Sequence, residues 1–161
     1  MTKEQFKTLF DLYFDDIRRY LYYRCGDTTV STDLAQDTFM RVWEKQMDLL
    51  PERDTGLLYK IAGDLLVSHM RREKLRREAP REIRFEQRDS SPEDELQYSE
   101  LKEKYENVLM KLPENQRVVF LMSRTEELTY QEIATRLSLS VKAVEKRMSG
   151  ALSRLRKELK T

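Results

Sequence analysis

The residues with chemistry to offer in this chain are cations set at helical spacing. Lys142, Glu145, Lys146, Arg147 and Ser149 fall on one side of a stretch whose other side is Val141, Val144, Met148, Ala151, Leu152, Leu155 and Leu159. Lys and Arg neutralise phosphates, and side chains in the first turn of such a helix hydrogen-bond base edges, so the expected chemistry is recognition of nucleic acid. A second basic run holds Arg71, Arg72, Lys74, Arg76, Arg77, Arg81, Arg84 and Arg88, and an acidic stretch over residues 89–106 follows it. The net charge is only +1, an average that conceals this segregation. Two basic faces separated by acidic sequence suit a protein that touches DNA at two places. Charge alone fits a pair of solvated helix faces equally well.

Catalytic and metal-binding chemistry finds no support. Cys25 and His69 are the only cysteine and histidine, which excludes an intramolecular disulfide and a thiolate metal cluster. There is no glycine-rich phosphate loop and no nucleophile beside the histidine. No cofactor, no metal and no enzymatic activity are expected. Cys25 is read as a buried or idle thiol, and His69 as a packing or DNA-stacking residue rather than a ligand. No apolar run approaches the roughly 20 residues that cross a bilayer. The alternation of charged and apolar residues over the first ten is unlike a signal peptide, so a cytoplasmic protein without membrane insertion is expected.

The elements that must position these residues are all helical. Four Gly and four Pro in 161 residues, with charged residues at 37%, favour helix over turn-rich folds. Phe6, Leu9, Phe10, Tyr13, Phe14, Ile17, Tyr20 and Leu21 repeat at three and four, with Thr2 and Gln5 able to form a capping box. Gly26-Asp27 breaks that helix. A second is predicted from Ser31 or Thr32 through Leu34, Ala35, Phe39, Val42 and Trp43. Pro51 and Gly56 bound a loop, and a third helix carries Leu57, Leu58, Ile61, Ala62, Leu65, Leu66, His69 and Met70 into the basic run. From Pro80 the apolar pattern fades. Residues 80–95 read as a mobile linker, with Ser91-Pro92-Glu93-Asp94 as a helix start. Leu101, Tyr105, Val108, Leu109 and Leu112 form the next apolar face. Pro113 separates it from a helix whose core includes Val118, Val119, Leu121 and Met122. The expected fold is all-α: two small helical bundles, residues 1–79 and 96–161, joined by a flexible linker.

The strongest local pattern runs from Leu128 to Leu155. Thr129 and Glu132 form a capping box, Ile133, Ala134 and Leu137 face inward, and Ser138-Leu139-Ser140 makes a short turn into the long basic helix. A small Ala134 lets two helices cross closely, with Val144 filling the space beneath. This is the pattern of a helix-turn-helix, which lays its second helix in a major groove. Two amphipathic helices joined by a turn also occur in ordinary bundles; the cap, the Ala-to-Val spacing and the basic outer face favour DNA. Ser138 stands where this motif often has glycine.

Residues 112–121, LPENQRVVFL, followed by residues 128–134, LTYQEIA, resemble the C-terminal promoter-binding region of the sigma-70 family in its extracytoplasmic-function group. Residues 33–43, DLAQDTFMRVW, resemble its core-binding helix, and residues 58–72, LYKIAGDLLVSHMRR, its promoter-melting helix. The motifs stand in the family's order across nearly the whole chain. The resemblance implies an RNA polymerase sigma factor. Asp33, Gln36, Asp37, Arg41 and Trp43 would dock on core RNA polymerase. Asp64, Ser68, His69, Arg71, Arg72, Lys74 and Arg76 would hold the single-stranded −10 element. Ser140, Lys142, Ala143, Glu145, Lys146 and Arg147 would read the duplex −35 element. Phe39, beside the docking set, reads as core. The family often has Asn at the position of Asp64 and Asp at that of Ser68, so its −10 preference does not transfer. The resemblance further implies an anti-sigma factor as partner. A stand-alone helix-turn-helix regulator is the alternative; it lacks a reason for the motif over residues 33–43.

Overall fold

The computed structural model describes residues 1–76 and 96–159, with side chains in the second segment from Glu100 onward. The linker expected at 80–95, the helix start at Ser91, and Arg77, Arg81, Arg84, Arg88 and Lys160 of the basic runs lie outside the described residues. Among the described residues the chain forms seven helices and no strand. They are α1 Lys3–Cys25, α2 Thr28–Glu44, α3 Thr55–Arg76, α4 Leu96–Lys111, α5 Glu114–Arg124, α6 Tyr130–Leu137 and α7 Val141–Leu159.

Local chemistry sets the helix ends. Thr2 and Gln5 close a reciprocal capping box on α1, at 3.1 and 2.9 Å. Gly26 ends α1 in the left-handed region at φ 70°, its N–H donating to the Tyr22 carbonyl. The second helix begins at Thr28, earlier than the apolar pattern predicts, because the Asp27 carboxylate accepts from the Val30 N–H and starts the turn. Gly56, expected to bound the loop before the third helix, lies inside the first turn of α3, where the Thr55 hydroxyl donates to the Glu52 carbonyl. Pro113 stands between α4 and α5 as expected.

The first bundle buries Leu9, Tyr13, Ile17 and Leu21 of α1 against Leu34, Ala35, Phe39 and Val42 of α2, with Leu58, Tyr59, Ala62 and Leu66 of α3. The second buries Val108, Leu109 and Leu112 with Val118, Val119, Met122, Ile133, Ala134, Val144, Met148, Ala151 and Leu155. Four residues of the predicted apolar faces are exposed instead. Leu101 and Tyr105 lie on the part of α4 that is exposed among the described residues, where only the C-terminal half of the helix is buried against the bundle. Leu57 points outward beside buried Leu58, and Leu159 lies in the last turn of α7. The bundles also pack on each other, α1 against α5 and α3 against α6.

Candidate nucleic-acid interface

The helix-turn-helix is built by α6 and α7. Thr129 caps α6, accepting from the Glu132 N–H at 3.1 Å, while the Glu132 carboxylate accepts the Thr129 N–H at 3.0 Å. The Thr129 N–H first, and the Thr129 hydroxyl with it, hold the Glu132 carboxyl below its ordinary range. Ile133, Ala134 and Val144 are buried where the helices cross. Ser138 takes the left-handed conformation at φ 56°. This is the geometry that makes glycine common there, and a side chain accepts it at a cost of about 1–2 kcal/mol.

The −35 residues divide into two kinds. Lys142, Glu145 and Lys146 are exposed on the outer face of α7, and Arg147 is half-buried. Ser140 is committed to structure, because its hydroxyl accepts the Ala143 N–H at 3.0 Å and so caps α7. Its position, with Ala143, fixes the start of the reading helix rather than adding a free donor to it. Along α3, Asp64, Ser68, Arg71, Arg72, Lys74 and Arg76 are exposed, the first and last about 18 Å apart along the helix axis. Arg76 pairs with Glu73 at 3.6 Å. His69 is half-buried, and its Nε2 has no hydrogen-bond partner among the described residues. No group of metal-ligating side chains occurs among the described residues.

On α2, Asp33, Gln36, Asp37 and Arg41 are exposed along one stripe, continued by Met40. Trp43 is half-buried, its ring 5.1 Å from that of Phe6. Phe39 is core, with ring contacts to Phe10 and Phe14. The three residue sets stand on three helices, one on α2, one along α3 and one at the start of α7, and Asp64 of the second and Arg147 of the third line a common cleft.

Sequence reasoning missed a fourth set, at the seam between the bundles. Arg117 of α5 is 2% exposed, and its guanidinium donates to the carbonyls of Tyr23 at 2.7 Å, Arg24 at 2.9 Å and Leu112 at 3.3 Å. The first two lie in the last turn of α1, where the helix dipole concentrates negative charge. Burial pulls the Arg117 pKa below its ordinary value. Nearby, Arg136 of α6 bonds Asp16 at 3.1 Å and the Tyr59 hydroxyl at 3.0 Å, while Arg19 bonds Glu126 at 3.3 Å and Asp16. Burial raises the Glu126 carboxyl above its ordinary value against the opposing pull of Arg19. The Tyr23 hydroxyl couples to Glu126 electrostatically without a hydrogen bond in good geometry. The one readable signal for this set is Arg117 itself, a charge on the apolar side of an otherwise regular helix pattern.

Comparison with known proteins settles the family. Residues 9–76 match the family description Sigma-70 region 2, and residues 102–155 match Sigma-70, region 4. The chain belongs to the sigma-70 family. Its relatives place it in the extracytoplasmic-function group. It is 26% identical over 170 residues to the ECF RNA polymerase sigma factor SigW of Bacillus subtilis, covering 98% of this chain and 90% of the relative. It is also 26% identical to the ferric citrate uptake sigma factor FecI of Escherichia coli, covering 91% and 86%. Two solved structures share the fold. The sigma factor RpoE, in complex with the anti-sigma factor NepR from Bartonella quintana, has a TM-score of 0.65 at 21% identity over 97% of each chain. CnrH, in complex with the cytosolic domain of CnrY, has 0.63 at 20%, covering 99% of this chain and 90% of that one. The two family regions coincide with the two bundles. No helix among the described residues is long and apolar enough to cross a membrane.

Proposed function

We infer that this sigma-70 family member acts as an RNA polymerase specificity subunit, binding core polymerase and promoter DNA to direct transcription initiation. The observation that carries this is the presence of both family regions, in order, on one chain. The finer division is our proposal. The α2 stripe of Asp33, Gln36, Asp37 and Arg41, with Trp43 at its edge, docks on the core enzyme; an acidic face with an aromatic beside it suits a protein partner. The exposed cations of α3, with Asp64, Ser68 and His69, hold the unpaired −10 strand as bases leave the stack. The first turns of α7 read the −35 duplex, with Lys142, Lys146 and Arg147 on phosphates and Glu145 at the base edges. Residues 1–79 and 96–161 act as two modules with 80–95 between them. The chain itself catalyses no reaction, works in the cytoplasm and is restrained by an anti-sigma factor. The complex of RpoE with the anti-sigma factor NepR supports that last point by analogy.

The test is reconstitution. Purified chain added to core polymerase should yield transcripts whose mapped start sites share −10 and −35 sequences. Lys142→Ala should weaken promoter binding by the holoenzyme and lower the slope of its salt dependence by about one, leaving core association unchanged. Failure to bind core polymerase at all would overturn the reading. Tight promoter binding by the lone chain would replace it with the stand-alone regulator.

A further inference from the structure

The cleft that Asp64 and Arg147 share encloses about 670 Å³, with α1 and α3 on one side and α5, α6 and α7 on the other. That volume falls in the range of roughly 300–1,000 Å³ usual for small-molecule sites. Four cations line it, and they are of two kinds. Arg24 and Arg136 are already matched, by Glu114 and by Asp16. Lys60 of α3 and Arg147 of α7 form no ion pair with any described residue. Two unmatched cations from separate bundles repel each other across one cavity, and an anion placed between them turns that cost into attraction.

The rest of the lining is more than a bare phosphate would use. Tyr20, Val67, Val118 and Leu137 supply aromatic and aliphatic wall. Gly63 lets the Arg24 guanidinium lie back against α3, since an added Cβ would stand 2.9 Å from its Nη1. There Arg24 donates to the Tyr20 hydroxyl at 3.1 Å and pairs with Glu114, which keeps its side chain from filling the space. Of the two carboxylates on the lining, Glu114 is matched and Asp64 is not. An ionised carboxylate only accepts hydrogen bonds, so Asp64 calls for a donor such as an amino group. The complement of this cavity carries negative charge at one end, a flat body and one amino donor.

We propose that this cleft binds a nucleoside diphosphate whose base carries an exocyclic amino group: Lys60 and Arg147 hold the phosphates from opposite sides, Tyr20 and the aliphatic wall take the base, and Asp64 accepts from its amino group. Two unmatched cations suit a diphosphate, and a third phosphate meets no further unmatched cation on the lining. Adenine and cytosine carry the amino donor on the edge where uracil, like thymine, has a carbonyl acceptor. Two of the residues also appear in the DNA-reading sets, but the binding does not rest on that assignment.

Titration calorimetry on the full-length chain, at low salt and without magnesium, tests this with ADP, CDP, UDP and inorganic pyrophosphate. ADP and CDP should bind one per chain. UDP should bind about tenfold more weakly than CDP, because its carbonyl faces the Asp64 carboxylate, and pyrophosphate about tenfold more weakly than either. Lys60→Gln and Arg147→Gln, each checked for helical content, should weaken CDP about tenfold. Lys102→Gln, on exposed α4 surface away from the cleft, should change nothing. Asp64→Asn should bring CDP and UDP within about twofold of each other, since an amide both donates and accepts. No binding of any nucleotide would overturn the site. Pyrophosphate as tight as CDP, or equal loss in the Lys102 variant, would reduce it to general attraction of anions. A preference for CDP that survives in the Asp64 variant would remove Asp64 from the recognition.

Discussion

Replacing Arg117 with Met isolates what a buried guanidinium contributes at the seam. The side chain lies 2% exposed and makes two short bonds to α1 carbonyls, at 2.7 and 2.9 Å, and a longer one at 3.3 Å within its own bundle. Two charge-assisted bonds at about 1.5 kcal/mol each give about 3 kcal/mol. Met fills much of the same volume and carries no charge into burial, which offsets about 1 kcal/mol. The net loss is about 2 kcal/mol, a fall in Tm of about 4–8 °C for a chain of this size. That loss has a ceiling. Once it exceeds the free energy of docking, the bundles part and water satisfies the Tyr23 and Arg24 carbonyls. Calorimetry reads both effects, as a lower Tm and as a second transition where the bundles melt apart. Arg117→Lys should be no better than Met, since one ammonium cannot span carbonyls that a planar fork reaches together. A Tm change under about 1 °C in the Met variant, or full stability in the Lys variant, would refute the reasoning.

Phe39→Ala should destabilise the chain by about 3–5 kcal/mol, read by urea unfolding, because the ring is core and packs on Phe10 and Phe14. Its neighbour Asp37 is exposed, so Asp37→Lys should leave stability within about 0.5 kcal/mol while weakening capture of core polymerase in a pull-down. Glu132 gives a pH signature. Its folded pKa is depressed by the Thr129 bonds, so its contribution is present above the unfolded value of about 4.3 and fades as pH falls through the lower folded one. The urea midpoint of the wild type should drop toward that of Glu132→Gln between pH 6 and pH 3. Gln keeps the capping geometry without titrating, and parallel curves would rule out the carboxylate. Thr129→Ala should cost about 1 kcal/mol at neutral pH, again from the urea midpoint.

The helices were legible because their determinants are local. The Thr2 and Thr129 boxes, the Gly26 stop and the Pro113 break each act within four residues, and all appear as the residues predict. The misplaced start of α2 is local too, and the Asp27 cap was open to reading. Faces were harder. Leu101 and Tyr105 have the right spacing for burial, but burial needs a neighbour, and periodicity says nothing of where the neighbour ends. Ser138 was visible as a residue in a glycine position, though only the backbone angle shows that it accepts the strain. Arg117 was the least legible. Its burial depends on two carbonyls more than 90 residues away, a partner that no pattern along α5 can name.

The charges of this molecule sort by whether the fold finds them partners. Asp16, Arg19, Glu126 and Arg136 are tied to one another at the seam. Asp33, Asp37, Arg41, Arg71, Arg72, Lys142 and Lys146 form no ion pair with any described residue and stand in solvent. A fold rich in both signs could have paired many of these across its own surface at little cost, since exposed ion pairs contribute under about 1 kcal/mol. Leaving them unpaired keeps them available at no expense in stability, and each then adds its full charge to an encounter with polymerase or phosphate. The paired set does the opposite, using charge to hold two bundles at a distance fixed by geometry. One net charge of +1 therefore covers two separate electrostatic systems, one turned outward to partners and one turned inward against them.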